Sequence, residues 1–220
     1  MADNDFYTGE GGKRYLDQRT GAQGDYVQSL RASLFRELGG SELSVLDFGC
    51  GTGGVVTRVE AARRVGIEVS ATAASNARAA GVEVHDSLAR IPDTSIDVAI
   101  SFHAIEHVDH PLLILREIRR VVQADGRVRL VVPCETPALE HQRSWQENND
   151  CHLYTWTPLL FGNLAQRAGF TAISTRVAPM PTGSRLVRAL RWLPPLAGLV
   201  HTSLAVRRNA LNVILDARVS

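Results

Sequence analysis

The stretch Val45-Leu-Asp-Phe-Gly-Cys-Gly-Thr-Gly-Gly54 decides the fold. Its first residues suit a buried strand. Its glycines then crowd a turn that residues lacking a Cβ take most easily. One carboxylate, Asp47, stands inside the apolar run just ahead of Gly49. Outward from this point strands and helices alternate. Residues 44–48 predict a strand, 53–64 a helix, 65–69 a strand and 71–81 an alanine-rich helix ending at Gly81. Strands follow at 82–85 and 96–102, then a helix at 111–122 opened by Pro111, then a strand at 127–133. Apolar strands alternating with helices predict a doubly wound, mostly parallel α/β sheet covered on both faces.

Upstream, residues 26–38 carry apolar side chains at helical spacing, and Gly39 and Gly40 stop that helix. Downstream, residues 133–150 read as a polar loop. Residues 157–170 read as a helix with Thr157 as N-cap, Pro158 in its first position and Gly169 at its end. Strands are predicted at 171–177 and 210–219. Between them, residues 181–208 form an apolar insert with Arg185, Arg188 and Arg191 on one helix face. An acceptor lid, a dimer surface, a membrane-surface helix and a packed helical hairpin all remain open for it.

With 220 residues the chain fits a single domain, 1–220, in which residues 1–40 are a lead-in and helix over the ligand. Net charge is +1, so no global field favours nucleic acid or an anionic membrane. Cys50, Cys134 and Cys151 give neither a disulfide framework nor a zinc spacing. The polar start predicts no signal peptide, and no run approaches the ~20 apolar residues of a membrane span. A cytoplasmic monomer or homodimer is expected, with peripheral membrane contact left open.

Gly49, Gly51 and Gly54 satisfy G-x-G-x-x-G, and Glu68 stands where a ribose-binding acid is expected. A nicotinamide or flavin dinucleotide and S-adenosylmethionine compete for such a loop. Asp47 separates them. A carboxylate there repels a pyrophosphate in a partly dry site, whereas S-adenosylmethionine brings a sulfonium and an ammonium and no phosphate.

On these residues the sequence resembles the class I S-adenosylmethionine-dependent methyltransferases, small-molecule O-methyltransferases among them, over roughly residues 45–170. The resemblance implies a Rossmann-like sheet of seven strands ordered 3-2-1-4-5-7-6, with the last strand antiparallel. It places Asp47, Phe48, Gly49, Cys50, Gly51 and Gly53 around the methionine portion of S-adenosylmethionine, and Glu68 and Val69 at the ribose. Asp86, Ser87 and Leu88, in a segment similar to G-D-A-x-x-L-P, then face the adenine. Ser101, Phe102 and His103 end the fourth strand on the cofactor side. Tyr15 and Arg19 are expected over the cofactor, with Arg14 or Arg19 pairing its carboxylate. After transfer the product is S-adenosylhomocysteine.

His103, Glu106, His107, Asp109 and His110 crowd one short stretch. His103-x-x-Glu106-His107 spells the inverted zincin motif, but that motif needs its own helix and a third ligand. No metal is assigned. Some ubiquinone-pathway O-methyltransferases, which the segment resembles, carry a glutamate where His103 stands, and the resemblance implies a divalent ion in those; with His103 in that place, a metal is left open here. Methyl transfer to a hydroxyl gains from a base titrating near neutrality, which histidine supplies. His107 is the first candidate and His152 the second; Tyr154 and Trp156 either line the acceptor pocket or anchor its loop. The expected reaction is methylation of a small-molecule hydroxyl: a sugar, polysaccharide precursor or secondary metabolite. A lipid or quinone acceptor, an NAD-dependent oxidoreductase and a cofactor-binding regulator without turnover are the alternatives.

Overall fold

A computed structural model describes residues 24–135, 152–181, 192, 194–207 and 210–220. Tyr15, Arg14, Arg19, Cys151 and most of the predicted 133–150 loop lie outside the described residues.

Strand β1 (Gly40–Phe48) is central and pairs in parallel with β2 (Ala61–Ile67) and β4 (Ile96–Phe102). β2 carries the short edge strand β3 (Glu83–His85), and β4 carries β5 (Val122–Pro133), both in parallel. β7 (Leu211–Arg218) inserts antiparallel between β5 and β6 (Thr171–Pro179). The order β3-β2-β1-β4-β5-β7-β6 is the one the resemblance implies. The strand order reverses between β1 and β4, so their carboxyl ends diverge into a crevice there.

Alternation along β1 divides the core. Leu46 and Phe48 join Leu115 and Ile118 of α3 (Pro111–Val121) and Phe161 of α4 (Pro158–Ala168) on one face. Val45 joins Ala32 of α1 (Asp25–Ala32) and Ala74 and Ala77 of α2 (Ala71–Ala79) on the other. Leu115 and Ile118 are fully buried, a contribution of about 2 kcal/mol each. α4 begins and ends as its caps predict: Thr157 Oγ1 accepts from Leu160 N at 3.2 Å, and Gly169 takes the left-handed conformation at φ +97°.

The first crossover departs from expectation. The predicted helix over 53–64 is a single 3-10 turn, Val56–Arg58, and β2 already begins at Ala61. Val55, Val56, Thr57 and Val59 are β-branched and lose side-chain freedom in a helix. Val55, Val56 and Val59 instead bury in the core beneath the loop. Helix α1 is also shorter than predicted, ending at Ala32 and followed by a 3-10 turn, Arg36–Leu38. Ser33 Oγ donates to Leu30 O at 2.6 Å, a back-bond that bends a helix end.

Helix α5 (Pro194–Arg207) packs at β6, the sheet edge opposite β3. Ala210 N donates to Ala205 O at 2.9 Å and Met180 N to Ala210 O at 2.8 Å. Among the described residues no helix is long and apolar enough to cross a membrane.

Candidate active site

The carboxyl ends of β1, β2 and β4 open onto a cavity of about 560 Å³, within the range of small-ligand sites. The glycine loop forms one wall. Gly49 has φ +75° and Gly51 +54°, and a Cβ added to Gly49 would stand 2.4 Å from Ala104 Cβ. Gly49 N and Cys50 N both donate to Ile67 O, which folds the loop back over β2. Glu68 ties this wall together. One carboxylate oxygen accepts from Gly51 N at 2.9 Å and the other from Ser70 N at 2.7 Å. Burial raises the Glu68 carboxyl above its ordinary range, and these backbone donors oppose the rise. The acid predicted for ribose therefore also holds the loop in shape.

Asp47 lines the same cavity and is 2% exposed. Burial, and then the charge of Glu68, push its carboxyl up to about 8. The sequence alone suggests a standing anion. Burial instead favours the protonated carboxyl, and a positive charge arriving beside it favours the ionised one. The 3-10 turn after the loop has a related consequence. A dinucleotide pyrophosphate is held by the exposed N–H groups and dipole of a helix N-terminus. Here one turn stands in that place.

Farther along the cavity lie Val69, half exposed, then Asp86, Ser87 and the buried Leu88. Ser87 Oγ caps the next turn by accepting from Ala89 N at 3.2 Å. Phe102 and His103 line the cavity with their rings stacked, centroids 4.4 Å apart. Two predicted contacts fall elsewhere. Ser101 is fully buried and its Oγ donates to Phe48 O at 2.8 Å, joining β1 to β4. Gly53 turns the loop at φ +81° without lining the cavity.

The histidine cluster closes the other end. His103 has φ +54°, a conformation uncommon outside glycine, and its Nε2 is 2.9 Å from Asn212 Oδ1. Burial pushes its imidazole down to about 3, so it is neutral across the working pH range. Ile105–His107 is a 3-10 turn, not the α-helix that an inverted zincin needs. Glu106 is fully buried. Its Oε1 lies 3.6 Å from His103 Nδ1, 3.8 Å from His107 Nε2 and 3.9 Å from His152 Nε2. His152 arrives from a distant segment that is strapped across this turn. Leu153 N and Tyr154 N both donate to Glu106 O, at 2.9 and 3.3 Å, and Tyr154 Oη donates to Asp109 O at 3.0 Å. Trp156 is buried against Phe161, so it and Tyr154 anchor the strap. His107 lines the cavity, and His152 packs edge-on against it at 4.9 Å.

Two cavity residues, Gln28 and Arg31 of α1, escape sequence reasoning. Arg31 sits over the Phe102 ring at 5.1 Å. Helical spacing places both on one turn of α1, but nothing local says that this turn covers a cavity. No described residue of α5 lines the cavity.

Glycines with positive φ, a buried acid at the end of β1 and a second acid at the end of β2 fit S-adenosylmethionine, on the switch point of a 3-2-1-4-5-7-6 sheet. This is the frame and cofactor site of a class I S-adenosylmethionine-dependent methyltransferase. The chain belongs to the family described as "Methyltransferase domain", which matches residues 18–175. No curated protein matches the sequence. Solved structures share the fold at low identity. One is a methyltransferase from Haloferax volcanii in complex with the Trm112 activator, at 17% identity and TM-score 0.69, covering 99% of this chain and 98% of that one. Another is a possible histamine N-methyltransferase from Thermotoga maritima, at 18% and 0.59, covering 95% and 94%. A third is phosphoethanolamine N-methyltransferase 2 of Haemonchus contortus with S-adenosylhomocysteine, at 14% and 0.64, covering 94% of this chain and 59% of that one.

Proposed function

We propose that this methyltransferase acts on a small-molecule hydroxyl, of a sugar, polysaccharide precursor or secondary metabolite, held at the histidine end of the cavity. The cofactor supplies, when bound, a methyl group made electrophilic by its sulfonium. The chain's own residues aim the acceptor and dispose of its proton. The acceptor O–H gives up its proton, its oxygen forms the new C–O bond, and the S–C bond breaks with its pair left on sulfur. One observation carries the reading: His107 faces the cavity beside a fully buried glutamate and a second histidine. A neutral amine needs no such help, whereas a hydroxyl does. His107, and His152 packed behind it, are assigned to the activation of the acceptor's hydroxyl. His103 is not, because its ring nitrogen is engaged with Asn212 and the imidazole is too weak a base at about 3.

Arg31 is assigned to the cofactor's carboxylate, since it brings a cation to the cavity wall over Phe102. Asp47 is assigned to the positive charges of the same cofactor, and Asp86 with Leu88 to its adenine. An amine acceptor is the second reading, favoured by the two structural neighbours described as N-methyltransferases. Labelled-methyl transfer screened over hydroxyl, amine and carbon acceptors separates the two. Product from hydroxyl acceptors supports the first, and product from amines alone overturns it.

A further inference from the structure

Among the described residues, one group can place its donor atoms around a single ion. Glu106, His107 and His152 bring a carboxylate oxygen and two imidazole nitrogens within 4.8 Å of one another. Donors around a tetrahedral zinc stand ~3.4 Å apart, because each bond is ~2.0–2.1 Å. The 3.8 and 3.9 Å separations from Glu106 Oε1 close to that value by shifts of about half an ångström, and the two imidazole nitrogens, within 4.8 Å, close by at most ~1.4 Å. Two imidazoles with one carboxylate are the donor set of a catalytic zinc that keeps a fourth position open.

The backbone fixes this set. Glu106 and His107 are neighbours on one 3-10 turn. The strap carrying His152 is registered on Glu106 itself, through the bonds from Leu153 N and Tyr154 N to Glu106 O. Around them stands a supporting shell. His103 approaches the same carboxylate oxygen at 3.6 Å while Asn212, fully buried, holds its other nitrogen.

We infer that Glu106, His107 and His152 bind a divalent transition metal, zinc foremost, whose open position takes the acceptor's hydroxyl. The inference rests on the acceptor occupying this end of the cavity. An ion there lowers the hydroxyl's pKa toward neutrality, so the proton passes to water. The two histidines then act on the acceptor as ligands and not as bare bases. This is not the chemistry of a zinc hydrolase, because the nucleophile is the acceptor's own oxygen and the electrophile is the cofactor's methyl group.

The test uses the full chain, stripped with a chelator and dialysed, and zinc chloride alone as the probe. Competition against a chromophoric chelator should give one zinc per chain. His152→Ala and the His107→Ala/His152→Ala double variant should each weaken that zinc by at least ~100-fold. S-adenosylhomocysteine binding, measured on the same samples, should stay within about threefold and so report an intact fold. Zinc that binds equally to wild type and double variant, or no stoichiometric zinc at all, overturns the site. Full turnover by the stripped enzyme overturns its role in activating the acceptor. Failure of the methyltransferase reading looks different: S-adenosylhomocysteine then fails to bind the wild type, whatever zinc does.

Discussion

The two ends of the cavity are built in opposite ways. The cofactor end comes from one continuous run, residues 45–70, in which strand, glycine turn and acid follow each other in the chain. The histidine end, to which the acceptor is assigned here, joins Asn212 on β7, His103 to His107 after β4, and His152 from a strap between them. Contiguity makes the first end rigid. Gly49, Gly51 and Glu68 are locked by backbone bonds within about twenty residues of each other, as a common donor demands. Long-range assembly makes the second end adjustable. A change at His152 reaches the histidine end and leaves the glycine loop untouched.

Substitutions break or sharpen that contrast. The largest effect is expected from His107→Ala/His152→Ala. Turnover should fall by ~100-fold or more while S-adenosylhomocysteine affinity barely moves, read by steady-state kinetics and calorimetry side by side. Equal losses in both would dissolve the division between the two ends. Gly49→Ala acts oppositely. Its Cβ would clash with Ala104 at 2.4 Å in a backbone that disfavours a side chain, so cofactor affinity should drop by at least ~30-fold. Arg31→Met should weaken S-adenosylhomocysteine by about tenfold with little change in acceptor KM. The smallest effect belongs to Thr157→Ala, which removes the cap of α4 and should cost about 1 kcal/mol of stability in denaturant melts, with catalysis unchanged.

Asp47 gives a pH test. Its carboxyl is raised in the fold from 3.8 to about 8, so the folded state binds the proton more tightly than the unfolded chain does. Stability contributed this way is full at low pH and is lost as pH rises through that window. Asp47→Asn has no proton to lose. Its melting temperature should match the wild type near pH 4 and exceed it by a growing margin toward pH 8, in cofactor-free protein.

The same contrast explains what the sequence revealed. Apolar strand runs, Pro111, Thr157 and Gly169 are local signals, and they marked β1, β4, α3 and α4 within a few residues. The alternation of strands and helices predicts a helix over 53–64, but β-branched Val55, Val56, Thr57 and Val59 argue against one. Glu68 was legible as an acid at a strand end, but its bonds to Gly51 and Ser70 were not. Glu106 was only a letter in a motif. What makes it the centre of three histidines is a strap whose register depends on pairing Cys134 with Trp156, a contact no local pattern encodes.

The central claim is that a buried acid at the end of β1 becomes charged only when the positively charged donor binds. Calorimetry of S-adenosylmethionine binding at pH 7 in buffers of differing ionisation enthalpy measures this as protons released. With Asp47 at about 8, wild type should release ~0.9 proton more than Asp47→Asn, and its affinity should rise with pH up to that value. Identical proton release in the two proteins would contradict the account.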